Sequence, residues 1–152
     1  MGKEFPFITI APQCPSDRWW PEPVLTKALI SLIEKTKAQY NVDNSRIYAT
    51  GLSMGGYGTL EIAMERPDLF SGIIPICGGG DLKKIDRLKD MPVWLFHGDA
   101  DTVVPVENST EIYDLLKPIS DNVKTTIYKD VGHDSWTQTY DNNQIYEWLL
   151  GK

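Results

Sequence analysis

Residues 46–65 constrain the chain more than any other stretch. Arg46-Ile47-Tyr48-Ala49-Thr50 is rich in β-formers and runs directly into Gly51-Leu52-Ser53-Met54-Gly55. The run from Met54 to Glu65 that follows carries the helix formers Leu60, Glu61, Ala63 and Met64. A strand that becomes a helix within so few residues must reverse sharply at Ser53. The reversal holds the serine in a strained backbone conformation with its hydroxyl projecting, and glycines on either side let strand and helix approach closely. A serine between two such glycines matches the pattern of a nucleophile elbow. That pattern arises by chance in about one chain of this length in twenty, so its weight comes from the strand before it and the helix after it.

The rest of the chain repeats the alternation. Phe7-Ile8-Thr9-Ile10-Ala11 reads as a strand stopped by Pro12, and Val24, Leu25, Ala28, Leu29, Leu32 and Ile33 mark one face of a helix running towards Tyr40. Pro67 ends the helix that follows Ser53, because it disfavours helical geometry in Arg66. Gly72-Ile73-Ile74-Pro75-Ile76-Cys77 is a strand with a glycine-rich exit, and Val93-Trp94-Leu95-Phe96 is a wholly apolar one that predicts burial on both faces. A helix spaced by Val106, Ile112, Tyr113 and Leu116, a strand Thr125-Thr126-Ile127-Tyr128 and a last helix around Ile145, Trp148 and Leu149 complete the pattern. This is the signature of an α/β fold with a mostly parallel sheet flanked by helices. At 152 residues the chain fits one domain, 1–152, able to bury ~70% of its unfolded surface.

Charge narrows the partners. A formal charge of −6 with both signs interspersed leaves no basic stripe for nucleic acid, and the apolar runs are too short to span a bilayer. A small or neutral substrate fits better. Cys14 and Cys77 belong to no C-x-x-C pair, so neither a metal cage nor a redox dithiol is indicated, and both are expected as free thiols.

In an open parallel sheet, chemistry collects beyond the carboxyl ends of the strands. Ser53, Asp101 and His133 each follow a strand candidate, in that chain order. A serine hydroxyl is a weak nucleophile at neutral pH and needs a base, and the base needs a carboxylate to fix its tautomer. His133, on a loop after the last strand, stands where the serine-acid-histidine order puts the base, whereas His97 at a strand end suits a buried structural imidazole. Asp99, Asp101 and Asp134 all compete for the acid. The backbone N–H of Met54, next after the serine, is the candidate oxyanion donor.

Five stretches together resemble one family. They are Phe5-Pro6-Phe7-Ile8 through Ala11-Pro12-Gln13-Cys14-Pro15, the elbow from Thr50 to Gly58, Pro75-Ile76-Cys77-Gly78-Gly79, the loop His97-Gly98-Asp99-Ala100-Asp101-Thr102-Val103-Val104-Pro105, and Gly132-His133-Asp134-Ser135-Trp136. The chain resembles the esterase branch of the α/β-hydrolases, in particular the phospholipase/carboxylesterase and predicted-peptidase group related to dienelactone hydrolases and feruloyl or acetylxylan esterases. The resemblance implies a serine esterase, with peptidase activity also open. It puts the nucleophile on Ser53, the acid on Asp101 and the base on His133, with no metal or organic cofactor. The expected substrate is a small-molecule or carbohydrate-linked ester. Trp20 and Trp136, which flank segments that should reach the catalytic edge, and Gln13 are the candidate pocket residues. Relatives are often exported.

The resemblance also implies an incomplete α/β-hydrolase fold, the C-terminal portion of a longer domain, because relatives place several strands, including the one bearing the second oxyanion donor, ahead of Phe5. One strand would then be missing between residues 7–11 and the elbow strand. The expectation is that residues 7–11 slide in to pair with the elbow strand. The ends bearing Cys14 and Cys77 would still lie about two strand spacings apart, beyond the ~7 Å limit for a disulfide. Two other readings remain open: a truncated hydrolase that keeps the three side chains but turns over weakly or not at all, and a magnesium-dependent phosphatase of the haloacid-dehalogenase type using Asp99 in Asp99-Ala100-Asp101-Thr102-Val103-Val104.

Overall fold

The computed structural model describes residues 7–151. Its elements run α1 (Pro23–Gln39), β1 (Tyr48–Leu52), α2 (Met54–Glu65), β2 (Gly72–Ile76), β3 (Val93–Gly98), α3 (Glu107–Leu116), β4 (Val123–Tyr128), α4 (Trp136–Asp141) and α5 (Asn143–Leu150). Short 3-10 segments, Pro67–Leu69 and Leu82–Leu88, lead into β2 and β3. The four strands form one parallel sheet in the order β1-β2-β3-β4, with helices on its two faces. The register places Leu52 beside Ile76, Ile76 beside Phe96 and Gly98 beside Tyr128, so the strand exits line up along one edge.

Burial follows from the strand period of two. Val93 and Leu95 of β3 face a core built with Leu60, Ala63 and Met64 of α2 and Ile112 and Leu116 of α3. Trp94 and Phe96 face the other way, into a core with Ile145 and Leu149 of α5. All six residues of β3 are buried, as its apolar run implies for a strand covered on both sides. Helix ends fall where local chemistry puts them. Pro23 opens α1, Arg66 leaves helical geometry (φ −134°, ψ 70°) ahead of Pro67, and the Asn142 side chain accepts from Gln144 N–H at 3.0 Å to start α5. Among the described residues no helix is long and apolar enough to cross a membrane.

The front of the chain departs from expectation. Residues 7–11 form no strand, and among the described residues β1 is the edge of the sheet rather than the partner of a strand that has slid inwards. Ile8 and Ile10 are 58% and 38% exposed. The reason lies downstream, where residues 19–20 are held over α2. Trp19 packs on Tyr57 with ring centroids 5.1 Å apart, and a Cβ on Gly58 would lie 2.8 Å from the Cβ of Trp20. A chain anchored there is tied to α2, and residues 7–11 pair with no strand. The part of the first stretch at Phe5 and Pro6 lies outside the described residues. Cys14 and Cys77 are both buried free thiols.

Candidate active site

The β1–α2 junction sets the first group. Ser53 occupies φ 52°, ψ −118°, a region that a non-glycine residue adopts only when its surroundings enforce it. The enforcement is visible on both sides: Ser53 N–H donates to Ile76 O at 2.9 Å, and Tyr57 N–H donates to Ser53 O at 3.1 Å. Gly51 makes the turn possible, because a Cβ there would run into the backbone carbonyl of Gly55. Gly55 itself has open space where its side chain would be, so the tight approach depends on the first glycine of the motif and not on the second.

The acid loop leaves β3. Asp101 is buried, and its carboxylate is surrounded by donors: Val103 N–H at 2.8 Å and Val104 N–H at 2.9 Å on Oδ1, and His133 Nδ1 at 2.7 Å on Oδ2. Burial works against ionisation of this carboxyl. The hydrogen bonds from His133, Val104 and Val103 outweigh it and hold Asp101 below the usual carboxylate range.

The base loop leaves β4. It is stitched to the acid loop by Asp99 N–H to Tyr128 O (3.0 Å), Ala100 N–H to Val131 O (3.0 Å) and Asp130 N–H to Asp99 Oδ1 (2.6 Å). His133 then stands between the other two groups, with Nδ1 on Asp101 and Nε2 at 2.9 Å from Ser53 Oγ. With its Nδ1 proton directed at the carboxylate, the ring presents an Nε2 lone pair to the serine hydroxyl. Trp136 meets the imidazole edge-on, centroids 5.3 Å apart at 87°.

The competing acids have other work. Asp99 braces the turn at Asp130, and Asp134 caps α4 through Thr137 N–H and Thr137 Oγ1 at 3.1 and 3.0 Å. His97 is fully buried. Of the pocket candidates, Trp136 touches His133, and Trp20 packs against Gly58 one turn into α2. Gln13 is exposed and turns its amide to Cys14 O at 3.2 Å. Met54 N–H opens α2, where helix geometry provides no acceptor. Sequence reasoning passed over the Val103 and Val104 donors; an aspartate that bonds backbone two and three residues on is the Asx-turn habit, and it was the available signal. Among the described residues, the donors of Cys77, Asp101 and His133 lie within 4.8 Å of one another, a grouping a metal could use, although two of the three already bond to each other. Burial pushes the Cys77 thiol up, away from the thiolate a metal needs.

In sequence and fold the chain is similar to known esterases. The sequence model of a family described as Phospholipase/Carboxylesterase matches residues 24–146. A crystal structure of a thermostable esterase superposes with a TM-score of 0.89 at 45% identity, covering 93% of this chain and 42% of that one. Poly(3-hydroxyalkanoate) depolymerase C of Paucimonas lemoignei is 44% identical over 48 residues, 32% of this chain and 12% of its own length. Acyl-protein thioesterase 1 of Neurospora crassa is 30% identical over 118 residues, 72% of this chain and 48% of its own length. The chain thus spans less than half the length of each of these three.

Proposed function

The chain belongs to the phospholipase/carboxylesterase family, and on that premise we propose that it is a serine hydrolase of carboxylic esters, read as one partial α/β-hydrolase domain over residues 1–152. The observation that carries the proposal is the continuous chain of contacts from Ser53 Oγ to His133 Nε2 (2.9 Å) and from His133 Nδ1 to Asp101 Oδ2 (2.7 Å). Ser53 attacks the ester carbonyl while His133 takes the hydroxyl proton. The imidazolium, stabilised by Asp101, then returns that proton to the departing alcohol, leaving an acyl group on Ser53. Water, deprotonated by the same imidazole, releases the acid and restores the serine.

Met54 N–H is the donor proposed for the oxyanion. An acyl-transfer site that lacks one such donor loses about 3 kcal/mol of transition-state stabilisation, so a stoichiometric probe of the nucleophile is a better first test than turnover. Trp136, beside the base, and Trp20, over α2, are proposed to border the substrate, with Gln13 at the rim. The names of the similar proteins point to oxygen and thiol esters; esters expel their leaving group more readily than amides, which places peptides second.

A fluorophosphonate reagent should label the wild-type chain at Ser53 and fail to label Ser53→Ala. Absence of labelling in a folded wild-type chain, under conditions that label a full-length esterase relative, would overturn the proposal.

A further inference from the structure

Cys77 is a buried thiol at the catalytic edge that the mechanism above leaves unused. It is the residue after β2, held at a left-handed φ of 39° with its N–H donating to Phe96 O at 2.8 Å. Its sulfur, a carboxylate oxygen of Asp101 and a ring nitrogen of His133 lie within 4.8 Å of one another. The three groups follow three different strands, β2, β3 and β4, so the sheet itself brings them together. Asp101 and Cys77 are buried, while the His133 side chain keeps 21% of its surface exposed, which leaves an approach from the histidine side. Beside the thiol, Ser135 Oγ is buried and makes no hydrogen bond. Sulfur, imidazole nitrogen and carboxylate oxygen are the ligand types zinc takes, and with three protein ligands it keeps a fourth position for water. An unsatisfied hydroxyl next to the cluster is a partner for such a water.

We propose that Cys77, Asp101 and His133 form an inhibitory site for a thiophilic divalent cation such as Zn²⁺ or Cd²⁺, which stops ester hydrolysis when it is filled. The inhibition rests on the reading of Ser53, His133 and Asp101 as the hydrolytic groups; binding of the ion does not. Both ring nitrogens of His133 are committed, Nδ1 to Asp101 and Nε2 to Ser53 Oγ, so an ion on either one takes from the base its carboxylate or its hydroxyl. The bond from the ion to sulfur replaces the S–H bond, and the proton passes to water. Burial keeps Cys77 protonated in the free protein, yet a coordinating thiol is deprotonated outright by the charge of the ion, so the cation itself supplies what the thiol lacks. This requirement makes the site selective. Mg²⁺ takes oxygen ligands in an octahedron and gains nothing from displacing a thiol proton, whereas soft thiolate is a ligand that zinc and cadmium favour.

Zn²⁺ added to the wild type should stop turnover of an activated ester, and Mg²⁺ at the same concentration should not. Where turnover is too slow to follow, the rate of fluorophosphonate labelling of Ser53 is the readout. Cys77→Ser, measured against its own ion-free rate, should need at least about tenfold more Zn²⁺ for half inhibition. A wild type that Zn²⁺ leaves active, or a Cys77→Ser chain inhibited at the same concentration as the wild type, would overturn the proposal. A second measurement does not depend on Cys77→Ser folding. The chain has two cysteines, so Cys14→Ser retains Cys77 as its one thiol. Titrating folded Cys14→Ser with Cd²⁺ should develop the ultraviolet absorption of a cadmium–thiolate bond; its absence overturns the site. Labelling of Ser53 without any ion keeps the two ideas apart. A labelled wild type with no cadmium–thiolate absorption sinks only the cation site, while that absorption in a chain that never labels sinks only the hydrolase reading and the inhibition drawn from it.

Discussion

At Asp101 three local facts compete, and their balance sets the pH behaviour. The side chain is removed from water, which opposes its charge, yet it receives His133 and two backbone N–H groups, which favour it more. The sign follows from linkage. A carboxyl whose folded value is depressed binds fewer protons folded than unfolded, so its stabilisation is complete above the ordinary value of about 3.9 and disappears as pH falls through the lower folded value. Urea midpoints measured from neutral pH down through this window should therefore fall for the wild type and fall less steeply for Asp101→Asn; parallel curves would show that the carboxyl is not held as described. The same variant should lose roughly 10⁴-fold in kcat on an activated ester, because an amide stabilises the wrong tautomer of His133. Loss of only a few-fold would move the acid elsewhere, with Asp99 and Asp134 already occupied in turn and cap. Ser53, Asp101 and His133 were legible because each chemical type stands just after a strand, and parallel strands bring their exits to one edge. The donors that seat Asp101 were legible only as the general Asx-turn habit of an aspartate, since they are backbone groups whose direction depends on how residues 101–104 curl.

Elements were legible where their ends carry their own chemistry. Pro23, Ser53 and Pro67 mark helix boundaries by restricting φ or enforcing a turn, and α2 begins and ends where those residues require. Residues 7–11 have equally good strand composition and make no strand, because a strand exists only by pairing and the chain after them is tied to α2. The six-residue α4 was missed for the opposite reason: Trp136–Asp141 is too short to display a helical period, and its start depends on the Asp134 cap. The β1–α2 junction gives a test that divides two glycines the motif treats alike. Gly51→Ala should cost at least about 2 kcal/mol, since its Cβ meets backbone that cannot rotate away. Gly55→Ala, in the first turn of α2 with free space around it, should be neutral or stabilise by up to about 1 kcal/mol. Thermal unfolding of the two variants checks this; equal destabilisation would mean that the helix does not approach the strand as described.

Across the whole molecule, stability is distributed unevenly, and the site sits on the well-held part. β3 is buried at every position and feeds both cores, with Val93 and Leu95 on one face and Trp94 and Phe96 on the other. Asp101 and His97 hang directly from it. α2, which carries Ser53, has seven buried residues. α1 is built differently. It is the longest helix among the described residues, yet Thr26 is its one buried residue; Leu29, Ile30 and Ile33 are partly covered, while Val24 and Leu32 remain exposed. A helix gains most of its stability in a protein from the face it buries, and a face covered only in part can open without disturbing the sheet. Amide hydrogen exchange should then separate two classes. The interior amides of α1 should exchange at least about tenfold faster than those of β3 and α2, equivalent to an opening some 1.4 kcal/mol easier, under conditions where fluorophosphonate labelling of Ser53 proceeds unchanged. Protection in α1 equal to that in β3 would mean that the helix opens only with the sheet, and that the N-terminal third of the chain is bound into the same cooperative unit as the three groups at its rim.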